Sequence, residues 1–179
     1  MNRIMVMGSS GGAGKSTFAR RLGEILDLKV YHLDTLFWKP NWVETSLVEF
    51  RDTQQKIAMT EKWIMEGNYS NSYDIRVARA DTIIYLDVPR WLCIYRVLKR
   101  WVTHIGQTRP DMGKGCKEKV DWSFLTFIWT TYYPRKEKMR SRFEQLEQTS
   151  PDKTIIHLKN KADIANFLHE LHSKHTILS

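Results

Sequence analysis

The run Gly8-Ser9-Ser10-Gly11-Gly12-Ala13-Gly14-Lys15-Ser16-Thr17 follows directly on the apolar stretch Ile4-Met5-Val6-Met7. It reads as a strand, a glycine-rich turn and the start of a helix. Triphosphate oxygens need several donors that converge at short range. The N–H groups of such a turn supply them, because residues without Cβ take φ > 0 and let a phosphate come close. Gly11, Gly12, Ala13 and Gly14 would form the cradle, and Lys15 would reach the β- and γ-phosphates. Ser16 would offer its hydroxyl to Mg²⁺, with Thr17 beside it in the first turn of a helix whose positive end faces the anion. This is the Walker A arrangement with one departure. Six residues before Lys15, where the pattern has Gly, stands Ser9, with Gly8 one place earlier. Either the turn tolerates Ser9 or it is one residue longer.

Working outward, 179 residues suit a single domain with a substantial core, spanning 1–179. A hydrophobic content of 42% and a charged content of 27% belong to an ordinary globular chain, and no apolar run reaches membrane-span length. The chain enters its first strand at once, without a signal-peptide pattern, so a cytoplasmic location is expected. Cys93 and Cys116 are the only cysteines, too few for a zinc site or a disulfide framework. A net charge of +8 points to an anionic partner, whether nucleotide phosphates or a nucleic-acid backbone.

Strand and helix patterns alternate along the rest of the chain. Phe18, Leu22, Ile25 and Leu26 recur at helical spacing, and residues 29–33 read as a second strand ending at Asp34. Residues 35–45, with Phe37, Trp38, Pro40 and Trp42, read as an aromatic loop without regular structure. Ser46 can cap a helix to about Thr60; Trp63-Ile64-Met65 is a third strand, closed by Glu66-Gly67-Asn68. A short helix over 72–80 carries Arg76 and Arg79, and Thr82–Leu86 is a clear fourth strand ending at Asp87. Pro89 opens a helix to about Ile105. Residues 106–119 then break all periodicity and read as a mobile basic loop, within a lid region of about 101–133. Two helices parted at Pro134, a last strand over 153–158 and a closing helix over 161–172 complete the chain. The alternation implies an α/β fold: a parallel sheet covered on both faces, with ligands at the strands' carboxyl ends.

Three carboxylates fall just past apolar strands: Asp34, Glu66 and Asp87. In a parallel sheet they share the edge that the phosphate loop occupies. One of them is expected to hold Mg²⁺ through water, and another to accept the proton of an acceptor hydroxyl. Arg96 and Arg100 lie four apart on one helix face, where they would neutralise a transferring phosphoryl group; the same spacing also suits an exposed basic face. Arg109 is the candidate delivered by closure of the lid. Between Lys99 and Lys119 stand six basic residues against two acids, a stretch that would shut over a triphosphate or grip a nucleic-acid backbone.

The run Leu86-Asp87-Val88-Pro89, with Arg96 and Arg100 after it, resembles the nucleoside monophosphate kinases of adenylate-kinase type. Glu66-Gly67 is similar to that family's acidic-Gly pair. Tyr31-His32-Leu33-Asp34 and Gly106-Gln107-Thr108-Arg109-Pro110-Asp111-Met112 resemble one bacterial subgroup more closely, the adenylate-kinase-related P-loop proteins described as DNA topology modulation proteins. The resemblance runs nearly the full length. It implies a three-layer P-loop fold, nucleoside monophosphate kinase-like, with a five-stranded parallel sheet of order 2-3-1-4-5 and a helical lid. It further implies that Arg96 packs by the adenine, that Arg100 contacts the transferring phosphate, that Glu66 orients metal-bound water, and that Lys159 and Asn160 border the base.

The departures bear on the acceptor. Adenylate kinases follow the acidic-Gly pair with Phe-Pro-Arg, whose Arg clamps the acceptor's phosphate. Here Asn68, Tyr69 and Ser70 stand in those places, leaving Arg76 or Arg51 as substitutes. Asp34, Trp38, Gly67, Asn68, Tyr69 and Arg76 are the candidate acceptor-binding residues, with Phe37 and Trp42 nearby, although these aromatics also suit plain packing. The histidines lack ligand spacing, and none is assigned a role. The expectation is an ATP- and Mg²⁺-dependent kinase for a small molecule. Set against it are a DNA-associated ATPase, drawing on Arg135, Lys136, Lys138, Arg140 and Arg142, and a nucleotide switch with little chemistry.

Overall fold

A computed structural model of the chain describes residues 1–103, 111–113, 115–116 and 122–178. Five parallel strands form the central sheet: β1 (Arg3–Gly8), β2 (Val30–His32), β5 (Trp63–Glu66), β6 (Thr82–Leu86) and β7 (Thr154–Leu158). Their order is β2-β5-β1-β6-β7, which for the sheet's own five strands is the expected 2-3-1-4-5. Ile4, Met5, Val6, Ile64, Met65, Ile83 and Ile84 are all fully buried, as strands covered on both faces require. On one face lie α1 (Lys15–Leu26) and α7 (Lys161–Leu178), around Phe18, Leu22, Ile64, Ile84 and Leu168. On the other, α4 (Tyr73–Arg79) and α6 (Trp122–Thr149) cover Met5, Met65, Ile83 and Tyr85, packing Tyr73, Met139 and Phe143 against them.

Three readings of the sequence change here. Residues 35–45 are ordered: Leu33–Phe37 form the short helix α2, and β3 (Trp38–Lys39) pairs antiparallel with β4 (Val43–Glu44) in a small hairpin. Asn41 and Trp42 take φ 62° and 64° at its tip, a conformation that carries no local sequence signal for Trp. The two helices expected around Pro134 are one 28-residue helix. A proline inside a helix forfeits one backbone bond. Packing on both sides of it, through buried Ile128 and Tyr132 before and Met139 and Phe143 after, holds the axis together. Lastly, the described part of the basic loop is not clear of the core. Met112 and Cys116 are buried, Cys116 Sγ donates to Lys39 O at 3.3 Å, and a Cβ on Gly113 would sit 2.0 Å from Trp38 O.

Other elements follow their sequence signals. Ser46 caps α3 (Leu47–Ala58), its side chain accepting from Glu49 N. Pro89 stands just before α5 (Arg90–Thr103) and its carbonyl accepts from Leu92 N and Cys93 N. Among the described residues, no helix is long and apolar enough to cross a membrane.

The phosphate loop is pressed from outside by α5. Gly12 sits at φ +81°, and a Cβ there would stand 2.2 Å from the Cys93 carbonyl oxygen. Gly12→Ala is therefore expected to destabilise the protein by about 2–4 kcal/mol, since strain and clash fall on backbone that cannot swing away. Urea unfolding of the two proteins measures it; a loss below about 0.5 kcal/mol, the usual surface effect, would contradict this packing.

Candidate active site at the carboxyl edge of the sheet

The glycine-rich loop leaves β1 between β5 and β6 and is tied to both. Ser9 N donates to Leu86 O at 3.0 Å, and Ser9 Oγ donates to Val88 O at 2.8 Å. The serine that departs from the Walker pattern is thus buried and bonded, and the loop tolerates it. On the opposite side the Asn68 amide closes on Gly8: Gly8 N donates to Asn68 Oδ1 at 3.0 Å, and Asn68 Nδ2 donates to Gly8 O at 2.7 Å. Gly14, at φ 92°, stands at the N-cap of α1 with no side chain capping the helix. The first-turn N–H groups, over Lys15, Ser16 and Thr17, are thereby left for an anion. Lys15 Nζ donates to Ser10 O at 3.2 Å, while Ser10 Oγ is buried without a hydrogen-bond partner among the described residues. Such an orphaned hydroxyl beside a lysine and open helix N–H groups fits a phosphate oxygen.

Arg96 of α5 donates to Ala13 O at 3.1 Å, so it rests on the cradle formed by Gly11 to Gly14. Arg100 is half-buried one turn further along the same face. Arg109 lies outside the described residues. Asn160 is exposed and caps α7, its Oδ1 accepting from Asp163 N at 2.9 Å.

The carboxylates separate into two groups. Glu66, at the end of β5, is 4% exposed and bonded to His32 Nδ1 at 2.8 Å across paired strand ends. Asp34, in the first turn of α2, accepts from Tyr69 Oη at 2.7 Å. Burial, with the Asp34 charge beside it, pushes the Tyr69 phenol far above its usual range, so it remains a donor at any working pH. Asp87 stands apart from both: its Oδ2 pairs with Lys136 Nζ of α6 at 2.9 Å. Burial pulls the Lys136 ammonium down, but the hydrogen bond and charge of Asp87 outweigh it and leave Lys136 above its ordinary value. The pair engages one oxygen of Asp87; the other, Oδ1, is buried without a hydrogen-bond partner among the described residues. Ser16, Glu66 and Asp87 are the candidate oxygen donors at this edge, and Mg²⁺ beside substrate phosphates takes only one or two protein oxygens. No larger cluster of metal-ligating side chains occurs among the described residues.

Arg76, a candidate for the acceptor, has its guanidinium on backbone carbonyls instead. It is fully buried and donates to Gly67 O at 2.8 Å, Tyr69 O at 2.6 Å and Ser72 O at 3.4 Å. Burial lowers its guanidinium to about 10. Its task is to brace the turn from Gly67 to Ser72. Arg51 is engaged as well, with Asp74 Oδ2 at 2.6 Å and with Asn71 O. Around Tyr69, Phe37 and Phe50 approach with ring centroids at 4.9 Å each, and Trp38 meets Trp42 edge-on at 5.3 Å. Most of this cluster is packing that positions Tyr69; Trp38 keeps a half-buried face.

Two features escaped the sequence reading. His32 is the partner of Glu66, a pairing visible only once β2 and β5 are known to be neighbours. Arg135, Lys138 and Arg142 of α6 line a small cavity with Gly8, Ser9, Asn68 and Tyr85. Their spacing of three and four along one helix face was the available signal.

The sequence matches no protein-family model and no curated protein. Among solved structures, the chain is similar to shikimate kinase from Acinetobacter baumannii in complex with shikimate, with a TM-score of 0.55 and 13% identity over 99% of this chain and 94% of that one. It is similar also to shikimate kinase from Bacteroides thetaiotaomicron, with a TM-score of 0.50 and 15% identity over 97% of each chain. At such identities the likeness establishes the fold, a three-layer P-loop kinase fold, and not the reaction.

Replacing Asn68 by Leu removes both bonds to Gly8 while preserving bulk. We expect a stability loss of about 2–3 kcal/mol, from two buried backbone groups left unpaired. ATP affinity should fall with it, as titration calorimetry would read. Unchanged affinity would show that Asn68 does not hold the loop in its binding shape.

Proposed function

We propose that this chain is an ATP- and Mg²⁺-dependent phosphotransferase that phosphorylates a hydroxyl of a small neutral acceptor. One observation carries the reading: four consecutive residues serve both halves of the site. Glu66 meets His32, Gly67 turns the chain, Asn68 holds the phosphate loop, and Tyr69 holds Asp34. At Gly67, φ is +150° and a Cβ would stand 2.9 Å from Leu33 Cβ, so the turn requires glycine. Donor and acceptor groups therefore ride on one braced segment, which suits a reaction that depends on positioning.

In this reading Gly11 to Thr17 bind the polyphosphate. Lys15, Arg96 and Arg100 neutralise it, as Arg109 would from the lid. Ser16, with Glu66 or Asp87, would hold Mg²⁺, whose charge offsets that of the transferring group. Arg135, Lys138 and Arg142 of α6 add positive charge beside Gly8, Ser9 and Asn68 at the start of the loop. Asp34, oriented by Tyr69, takes the proton of the attacking hydroxyl, with Trp38 as a wall of the acceptor pocket. A neutral acceptor is favoured because Arg76 and Arg51, the candidate substitutes for a phosphate clamp, both bond elsewhere. The kinship with adenylate-kinase-type proteins, including the DNA topology modulation subgroup, is thus proposed for the donor half alone. The DNA-associated ATPase reading draws on the same helix, three of whose cations line the cavity beside the loop.

Transfer from γ-labelled ATP to a panel of nucleosides, sugars, polyols and nucleoside monophosphates tests the proposal. A neutral hydroxyl compound should be labelled in preference to its phosphate ester. Lys15→Ala should lower turnover about a hundredfold or more with unchanged thermal unfolding. Asp34→Asn should lower kcat while leaving ATP affinity intact. Labelling of the monophosphates alone would overturn the acceptor assignment, and absence of ATP binding would overturn the whole.

A further inference from the structure

Between the start of α5 and the middle of α6 lies a cleft of about 340 Å³, lined by Arg90, Trp91, Trp129, Tyr133, Asp87 and Lys136 among others. It is walled off from the phosphate loop. Tyr132 Oη donates to Val88 O at 2.9 Å from the cleft side, while Ser9 Oγ donates to the same carbonyl from the loop side. Both Tyr132 and Val88 are buried, so the wall is closed. None of Arg90, Trp91, Trp129 and Tyr133 takes part in the transfer chemistry argued above.

Three large aromatics open to solvent here: Trp91 is 68% exposed, Trp129 55% and Tyr133 61%. Arg90 is already laid flat, its Cζ 3.5 Å from the Trp129 ring centroid and 4.9 Å from that of Tyr133, and it donates to Trp129 O at 3.1 Å. A guanidinium fixed against an indole extends a planar stacking surface and carries positive charge at its rim. Lys136 supplies a second cation, held by Asp87 Oδ2 at 2.9 Å.

We propose that this cleft is a second binding site, for a nucleobase carrying a phosphate. The base stacks on the exposed Trp91 indole alongside the Arg90–Trp129 stack, and its phosphate meets Arg90 and Lys136. The size is right for one base and its sugar. Charge decides against other occupants. A purely apolar ligand would strip water from Arg90 and Lys136 without replacing it. The same chemistry is presented by a free mononucleotide and by a nucleotide within a single strand.

Calorimetric titration of the full chain with dTMP and, separately, with a twelve-residue oligo-dT at low salt tests the site. Trp91→Ala and Trp129→Ala, both surface changes, should each weaken probe binding about tenfold. ATP affinity and thermal unfolding should stay at parental values in both. Lys15→Ala should retain probe binding while losing ATP. Equal affinity for the two probes identifies a free nucleotide as the ligand, and binding of oligo-dT alone identifies a strand. Failure of both probes to bind, indifference to both tryptophan changes, or loss of probe binding in Lys15→Ala would overturn the site. None of these three results touches the kinase reading, which is read from ATP binding and transfer.

Discussion

The geometry of the whole carboxyl edge depends on how Gly8 and Ser9 are held as β1 ends. A strand in the middle of a parallel sheet loses its partners when its neighbours turn away, and here β5 turns first. Gly67 N still donates to Val6 O at 3.1 Å, but beyond it the backbone swings out of the sheet. The Asn68 side chain then takes over, giving Gly8 an acceptor and a donor where β5 no longer can. On the other side Ser9 extends pairing to β6 by one residue and adds a hydroxyl bond to Val88. A loop rich in glycine has much conformational freedom to lose. Anchoring its first residues on both flanks confines that freedom to the segment from Ser10 to Gly14.

The turn after β5 needs its own support, and Arg76 provides it at some cost. A guanidinium with no exposed surface gives up hydration, which is why its proton affinity falls to about 10. Three carbonyl oxygens of one short turn replace the lost water, and the turn gains a rigid shape. Glu66, Asn68 and Tyr69 are thereby held in fixed relation, each pointing to a different partner. Second-layer bracing of this kind makes side-chain positions reproducible to a fraction of an ångström.

Much of this was legible in the residues alone. Alternating strands and helices gave the sheet, and the glycine-rich text gave the loop between its first strand and first helix. Ser46 as a cap and Thr82–Leu86 as a strand were read from local chemistry and stand as read. What failed to show was set by tertiary contact. The hairpin at 38–44 has two-residue strands, too short for periodicity to register. The pairing of His32 with Glu66 needs the neighbour order of β2 and β5, which no window of sequence holds. Arg76 looked like a free cation because its three partners are backbone oxygens, which residue identity does not report.

Helix α6 shows why continuity across Pro134 matters for the site. Before the proline, Trp122–Tyr133 carries no charged residue and presents Phe124 and Ile128 to Gly11 and Tyr132 to Val88. After it come Arg135, Lys136, Lys138 and Arg142, toward Gly8, Asn68 and Asp87. Two independent helices would set the aromatic half and the cationic half at angles free to vary. As a single rod, gripped by Ile128 and Tyr132 at one end and by Met139 and Phe143 at the other, the halves keep one register. The same rod then walls the phosphate loop, delivers cations to its base and forms one side of the outer cleft. The outer cleft and the cavity beside Gly8 and Asn68 thus share one helix, with Trp129 and Tyr133 lining the first and Arg135 and Arg142 the second.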